Sequence, residues 1–113
     1  MENTCIFCKI CHNQAPAKVE YKDDKVTVIH DINPKAPVHL LIIPNEHIES
    51  LIAIDEEQHK DILSHILLTA KKIAQLRGLD SKEKGYRLVV NTGKQGGQIV
   101  WHLHVHFLAG EQL

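Results

Sequence analysis

Between residues 62 and 74 apolar side chains fall at Ile62, Leu63, Ile66, Leu67, Ala70, Ile73 and Ala74, a spacing that lays them along one side of a helix. The pattern predicts a helix over residues 56–77. Asp55 stands where an N-cap belongs, Gln58 follows three residues on as a capping-box partner, and Gly78 is a natural terminator. Elsewhere the pattern is that of strands. Residues 19–21 and 25–30 read as a hairpin turning at Asp23-Asp24. Asn33-Pro34 and Ala36-Pro37 then break regular structure. Residues 38–43 are apolar except for His39 and stop at Pro44, the mark of a strand buried on both faces. Residues 86–90 read as a fourth strand, and residues 99–108 as the last. Residues 5–10 form a short N-terminal helix or turn. Five strands around one long helix cannot be wound from βαβ units. The predicted class is therefore α+β, a five-stranded antiparallel meander with one long and one short helix.

Length and charge narrow the picture. The 113 residues suit a single domain, 1–113, and 43% hydrophobic content supplies one core, filled by aliphatics because aromatics are only 4%. A domain this small gains from burying more surface in a dimer. The formal net charge of −1 offers no field for nucleic acid or an anionic membrane, so any nucleotide must be held by local groups. No apolar run is long enough to span a membrane. The first residues do not read as a secretory signal, and three cysteines, all before residue 12, do not make a disulfide framework. A cytoplasmic location is expected.

Nine histidines are many for this length. His102, His104 and His106 alternate with Leu103 and Val105, so on a strand the three imidazoles share one face. Trp101, Leu103, Val105 and Phe107 take the other and anchor in the core. Imidazole can act as nucleophile, base or metal ligand near neutral pH. Two chemistries fit: a metal site, or nucleophilic catalysis at phosphorus. The preceding loop favours the second. Gly93, Gly96 and Gly97 allow close backbone approach to an anion, while Asn91 and Gln98 add amide donors. His59 and His65, six apart on the long helix, read as solvated or capping residues.

The stretch from Gly96 to Leu108, with His102-Leu103-His104-Val105-His106-Phe107-Leu108 at its centre, resembles the histidine-triad family signature. So do Cys5-Ile6-Phe7-Cys8-Lys9-Ile10, Pro16-Ala17-Lys18, the run from His30 to His39, Ile43-Pro44-Asn45-Glu46-His47-Ile48, and the run from Gly85 to Asn91. The resemblance is to the nucleotide-binding, purine nucleoside phosphoramidase-like branch. It implies a homodimer whose sheets join, and a hydrolase acting on purine nucleoside phosphoramidates of AMP or GMP. His104 would attack the α-phosphate to give a nucleotidyl-histidine, and His106 would bond the phosphate oxygens. Asn91, Gln98 and the Gly97 backbone would hold the phosphate. Asp31 would accept from the ribose hydroxyls, Ile32 would line the base pocket, His30 and Ile99 would also touch the nucleotide, and His39 would support the proton network of the catalytic triad that His102 shares with His104 and His106. No metal is required for that route. Where the family often has Ser or Thr, this chain has Ile99, which removes a hydroxyl from the phosphate side. Animal-type relatives continue past the point matching Leu113 with a segment that shapes the leaving-group side.

Cys5-x-x-Cys8 has zinc-ligand spacing. Some relatives complete a tetrahedral zinc site with histidines matching His47 and His102, which implies a structural zinc here. Two other functions fit the same residues: a purine-nucleotide-binding regulatory module without catalysis, and a small zinc protein whose histidines are ligands.

Overall fold

The structure is a computed structural model that describes residues 4–113. Its elements run α1 (Ile6–Cys11), β1 (Val19–Lys22), β2 (Val26–His30), β3 (Val38–Pro44), α2 (Lys60–Leu76), β4 (Arg87–Val89) and β5 (Val105–Ala109), with a 3-10 turn at Leu51–Ala53 before α2. All strand pairs are antiparallel, in the order β1-β2-β3-β5-β4. The first three strands follow one another as a meander does. The last two are exchanged, because β5 pairs with the buried strand β3 and leaves the shorter β4 at the edge.

The apolar run of β3 is the reason for this order. Residues Leu40 to Pro44 are buried on both faces. Leu40 and Ile42 join the core beneath α2, with Val28, Ile66, Ile73 and Phe107. Leu41 and Ile43 face the other way, into a second cluster with Phe7 and Ile10 of α1. The β1–β2 hairpin turns at Asp23, whose Oδ1 accepts from the N–H groups of Lys25 and Val26, both at 2.8 Å. Among the described residues no helix is long and apolar enough to cross a membrane.

The long helix starts four residues later than its pattern predicts. Asp55 does cap, since its Oδ1 accepts from the N–H groups of Glu57 and Gln58 at 3.0 and 2.8 Å. It caps a separate turn, closed by His59 N–H on the Asp55 carbonyl, and His59 is itself the N-cap of α2. The His59 ring is buried, with Nδ1 accepting from Asp55 N–H and Nε2 beside the Glu46 carboxylate at 3.0 Å. Leu67 leaves the predicted stripe and stands 60% exposed, while Ile66, Thr69, Ala70, Ile73 and Ala74 are buried. At the other end the Leu79 N–H bonds the Ala74 carbonyl, the Gly78 N–H bonds the Gln75 carbonyl, and Gly78 takes φ +69°. That is a Schellman termination, which needs a left-handed residue at this point.

The last strand is shorter than its pattern. Ladder pairing with β3 runs only from Val38↔Ala109 to Ile42↔Val105, and the chain bends at residues 100–102. Leu103, Val105 and Phe107 reach the core as alternation requires, but Trp101 is 45% exposed. It lies before the strand, in the bend, where alternation no longer holds.

Candidate active site and metal centre

His106 sits opposite Leu41, and His39 opposite Leu108, in the β3–β5 ladder, so both imidazoles project from the face that carries α1. There they line a cleft of about 920 Å³, together with Asp31, Ile32, Asn91, Gly97, Ile99 and His104. The predicted residues Asp31, His39, His104 and His106 are thus brought together from β5 and the residue just before it and from the two ends of the β2–β3 connection. That connection is drawn closed by the Asp31 N–H on the His39 carbonyl at 3.0 Å.

The hydrogen bonds fix where each imidazole keeps its proton. The Lys35 backbone N–H can only donate, and it points at His39 Nδ1 from 3.0 Å. His39 therefore carries its proton on Nε2, which lies 2.9 Å from His106 Nδ1 and 3.4 Å from Asp31 Oδ2. His106 Nδ1 must then accept, so His106 holds its own proton on Nε2. His104 Nδ1 faces the His102 carbonyl at 2.8 Å. A carbonyl can only accept, so Nδ1 carries the proton and Nε2 keeps a lone pair. The cleft thus receives one imidazole that keeps a lone pair on Nε2 and a neighbour able to donate from its own Nε2. Burial lowers the His39 pKa against the pull of Asp31. Burial and the adjoining His104 and His39 lower that of His106. Both shifts favour the neutral pair that this wiring needs.

The loop before the run is held from within. Asn91 Nδ2 donates to the Gly96 carbonyl at 2.8 Å. A Cβ on Gly96 would lie 2.2 Å from the Thr92 carbonyl oxygen, so only glycine fits. The Gly97 N–H is taken by the Lys94 carbonyl at 3.1 Å, and this residue meets the cleft at φ +86°. Gln98 departs from its expected role. It is buried, with Nε2 donating to the carbonyls of Glu49 and Val100 and Oε1 accepting from the Gly93 N–H. Its amide pins the loop and lies outside the cleft. Ile32 and Ile99 line the cleft but stand 92% and 88% exposed. His30 also lines it, with Nε2 on the Glu20 carboxylate at 3.0 Å.

A second cluster lies behind the run. Ligand atoms of Cys5, Cys8, His47 and His102 all fall within 4.8 Å of one another. His102 Nδ1 is 3.3 Å from Cys5 Sγ, 3.3 Å from His47 Nδ1 and 3.5 Å from Cys8 Sγ, and His47 Nδ1 is 3.2 Å from Cys8 Sγ. Tetrahedral zinc with thiolate and imidazole ligands separates its donor atoms by roughly 3.3–3.8 Å, so these residues fit that ion. The tautomer fits as well. His102 Nε2–H donates to the Pro44 carbonyl at 2.8 Å, which leaves Nδ1 as a lone pair aimed into the cluster. Burial pushes the His102 pKa down to about 4, so this ring too is neutral. Cys11 lies outside the cluster, with its thiol near the Pro44 carbonyl.

Three contributors escaped the sequence pattern. Phe7, Lys35 and Pro44 act through a ring packed against His102 and His104, a backbone N–H and a carbonyl, none of which a residue type advertises. His65 bonds Asp23 at 2.8 Å, away from the cleft.

The HIT domain family model matches residues 12–113. The purine nucleoside phosphoramidase of Escherichia coli (strain K12) is 42% identical over 113 residues, covering 100% of this chain and 92% of that protein. The 14 kDa zinc-binding protein of Brassica juncea is 46% identical over 110 residues, covering 96% and 94%. Among solved structures, a histidine triad protein from Clostridium difficile superposes with a TM-score of 0.93 at 46% identity, covering 100% of this chain and 96% of that one. The cleft, the histidine run and these matches over nearly the whole chain agree, and the protein belongs to the HIT domain family.

Proposed function

We propose that this protein is a nucleotidyl hydrolase that cleaves purine nucleoside 5′-phosphoramidates through a covalent intermediate on His104. The observation that carries this reading is the proton wiring: His104 Nε2 keeps a lone pair beside a neighbour that donates. The similarity to the E. coli purine nucleoside phosphoramidase supports the choice of substrate.

In the first step His104 Nε2 forms a bond to the α-phosphorus. The P–N bond breaks with its electron pair on nitrogen, which takes a proton from solvent, and a neutral amine leaves. The phosphorylated imidazole now carries a positive charge, which the His102 carbonyl stabilises through Nδ1–H. The His106 Nε2–H remains bonded to the phosphoryl oxygens, held in that tautomer by His39. In the second step water attacks phosphorus, His104 departs with its lone pair, and a proton returns to solvent with AMP or GMP as product. Asp31 keeps lone pairs for the ribose hydroxyls beyond the one given to the Asn33 N–H at 2.7 Å. Apolar side chains such as Ile6, Ile10 and Ile32 form the wall for the base.

Zinc at Cys5, Cys8, His47 and His102 has a structural part in this reading, tying α1 to the start of the histidine run. The similarity to a relative named as zinc-binding supports it. A homodimer is proposed as well. The sheet edge at β4 and exposed apolar residues on α2, Leu67, Leu68 and Leu76, give it a surface. A cytoplasmic location completes the proposal.

The test uses a fluorogenic adenosine 5′-phosphoramidate at neutral pH, with quenched samples read by intact mass. Turnover, a transient adduct of one AMP and loss of both in His104→Ala are expected. AMP binding without turnover or adduct would replace this reading with that of a nucleotide-binding module.

A further inference from the structure

Phe7 stands on α1 between the two cysteines of the metal cluster, with 7% of its surface exposed. Its ring meets two imidazoles nearly edge to face: His104 at 5.1 Å between centroids and 79°, His102 at 5.9 Å and 74°. The hydrogen bond on His104 fixes which nitrogen points inward, but one bond still allows the ring to rock about it. A packed aromatic ring opposes that motion, and the His106 ring adds a further contact at 5.1 Å. Two of these three restraints, the hydrogen bond and the Phe7 ring, originate in the cluster. Phe7 is two residues from Cys5 and one from Cys8, and the carbonyl that receives Nδ1–H belongs to His102. The cluster gathers these segments, with its four ligand atoms mutually within 4.8 Å.

We propose that Phe7 is a positioning residue for His104, and that the Cys5–Cys8–His47–His102 cluster sets the nucleophile's orientation through Phe7 and the main chain of His102. The proposal rests on the reading of His104 as nucleophile. It assigns the cluster a part in turnover that passes only through position. Misplacing a reacting group by about an ångström can cost on the order of 100-fold in rate, and loss of one of these restraints should cost ~10-fold here.

The experiment compares zinc-loaded wild type with Phe7→Leu, Phe7→Tyr, Cys5→Ser and the Phe7→Leu/Cys5→Ser double variant. If Phe7→Leu does not fold, Phe7→Met takes its place. If Cys5→Ser does not fold, Cys8→Ser does. Nitrogen-resolved imidazole NMR reads the His104 tautomer in the free protein, and steady-state kinetics on adenosine phosphoramidate give kcat and KM separately. Wild type should show one tautomer, protonated at Nδ1. Phe7→Leu should keep that tautomer but show His104 ring signals broadened by rocking, and kcat lower by ~10-fold, with KM within about twofold. Phe7→Tyr should restore both. Cys5→Ser, which loosens both Phe7 and the His102 main chain, should lower kcat at least as far as Phe7→Leu, and the double variant should be no worse than Cys5→Ser alone. A sharp, unchanged His104 in Phe7→Leu would overturn the proposal. So would a change in KM alone, which would make Phe7 merely a wall of the nucleotide pocket, or effects that simply add in the double variant. If wild type turns over no phosphoramidate, the catalytic reading fails, and the NMR comparison by itself decides whether Phe7 and the cluster hold the ring.

Discussion

Replacing His39 with leucine tests the proton wiring at its least exposed link. Leucine fills most of the imidazole's volume but accepts nothing from the Lys35 N–H and donates nothing to His106 Nδ1. Lys35 is exposed, so its N–H can turn to water. His106 Nδ1 lies further in, and an unpaired acceptor there costs about 2 kcal/mol. With unfolding entropy near 2.1 cal/mol/K per residue, that is roughly 8 °C in Tm for a chain of this length. The kinetic cost is separate. Without His39 to hold Nδ1 as an acceptor, His106 can place its proton there and turn a lone pair towards the phosphoryl oxygens. A hydrogen bond to a charged group is worth ~1.5–3 kcal/mol, so kcat/KM should fall by ~10- to 150-fold. Glutamine at the same position can both accept and donate and should recover part of the rate. The assay is phosphoramidate turnover beside a thermal melt of each variant. Unchanged kcat/KM in His39→Leu, next to a lowered Tm, would refute the tautomer argument and leave His39 as core packing.

Two further outcomes follow from the loop and the hairpin. Gly96→Ala puts a Cβ 2.2 Å from the Thr92 carbonyl, so the loop must open and the Asn91 bond to Gly96 must break; AMP affinity by calorimetry should drop ~10-fold, the equivalent of one hydrogen bond. Burial works against the charge on Asp23, but the Val26 and Lys25 N–H groups, His65 and the Tyr21 hydroxyl outweigh it and hold the carboxyl well below the usual carboxylate range. Its stabilisation is present in full above the unfolded value of about 3.9 and is lost as pH falls through the folded one, so the Tm deficit of Asp23→Asn should be largest near neutral pH and shrink below about pH 4.

The long helix and the buried third strand follow from periodicity, because burial against a core imposes period directly, but of the three histidines only His104 and His106 line the cleft, since His102 lies in the bend before β5. His39 and Asp31 were reachable only through the family resemblance. Their meeting depends on a closed connection whose length and prolines do not state where it ends. Gln98 shows the limit from the other side. Its amide suits an anion, yet the carbonyls of Glu49 and Val100 claim it, and such competition depends on three-dimensional neighbours. Trp101 leaves the core because the ladder ends before it and alternation ends with the ladder. The partner strand runs out at Ile42↔Val105, which the apolar pattern of residues 99–108 does not reveal.

Two of the groups that orient the histidine run are main-chain carbonyls, of Pro44 on His102 and of His102 on His104. A carbonyl belongs to every residue type, so no substitution at its own position deletes it. A cysteine at 102 would still offer the cluster a ligand and would present the same oxygen to His104. The oxygen that orients His104 therefore survives exchange of the first histidine, although the Nε2–H donor to Pro44 and the ring contact with Phe7 do not. Position 39 has no such latitude, because its partner is an imidazole nitrogen that only a donor in the same place can satisfy.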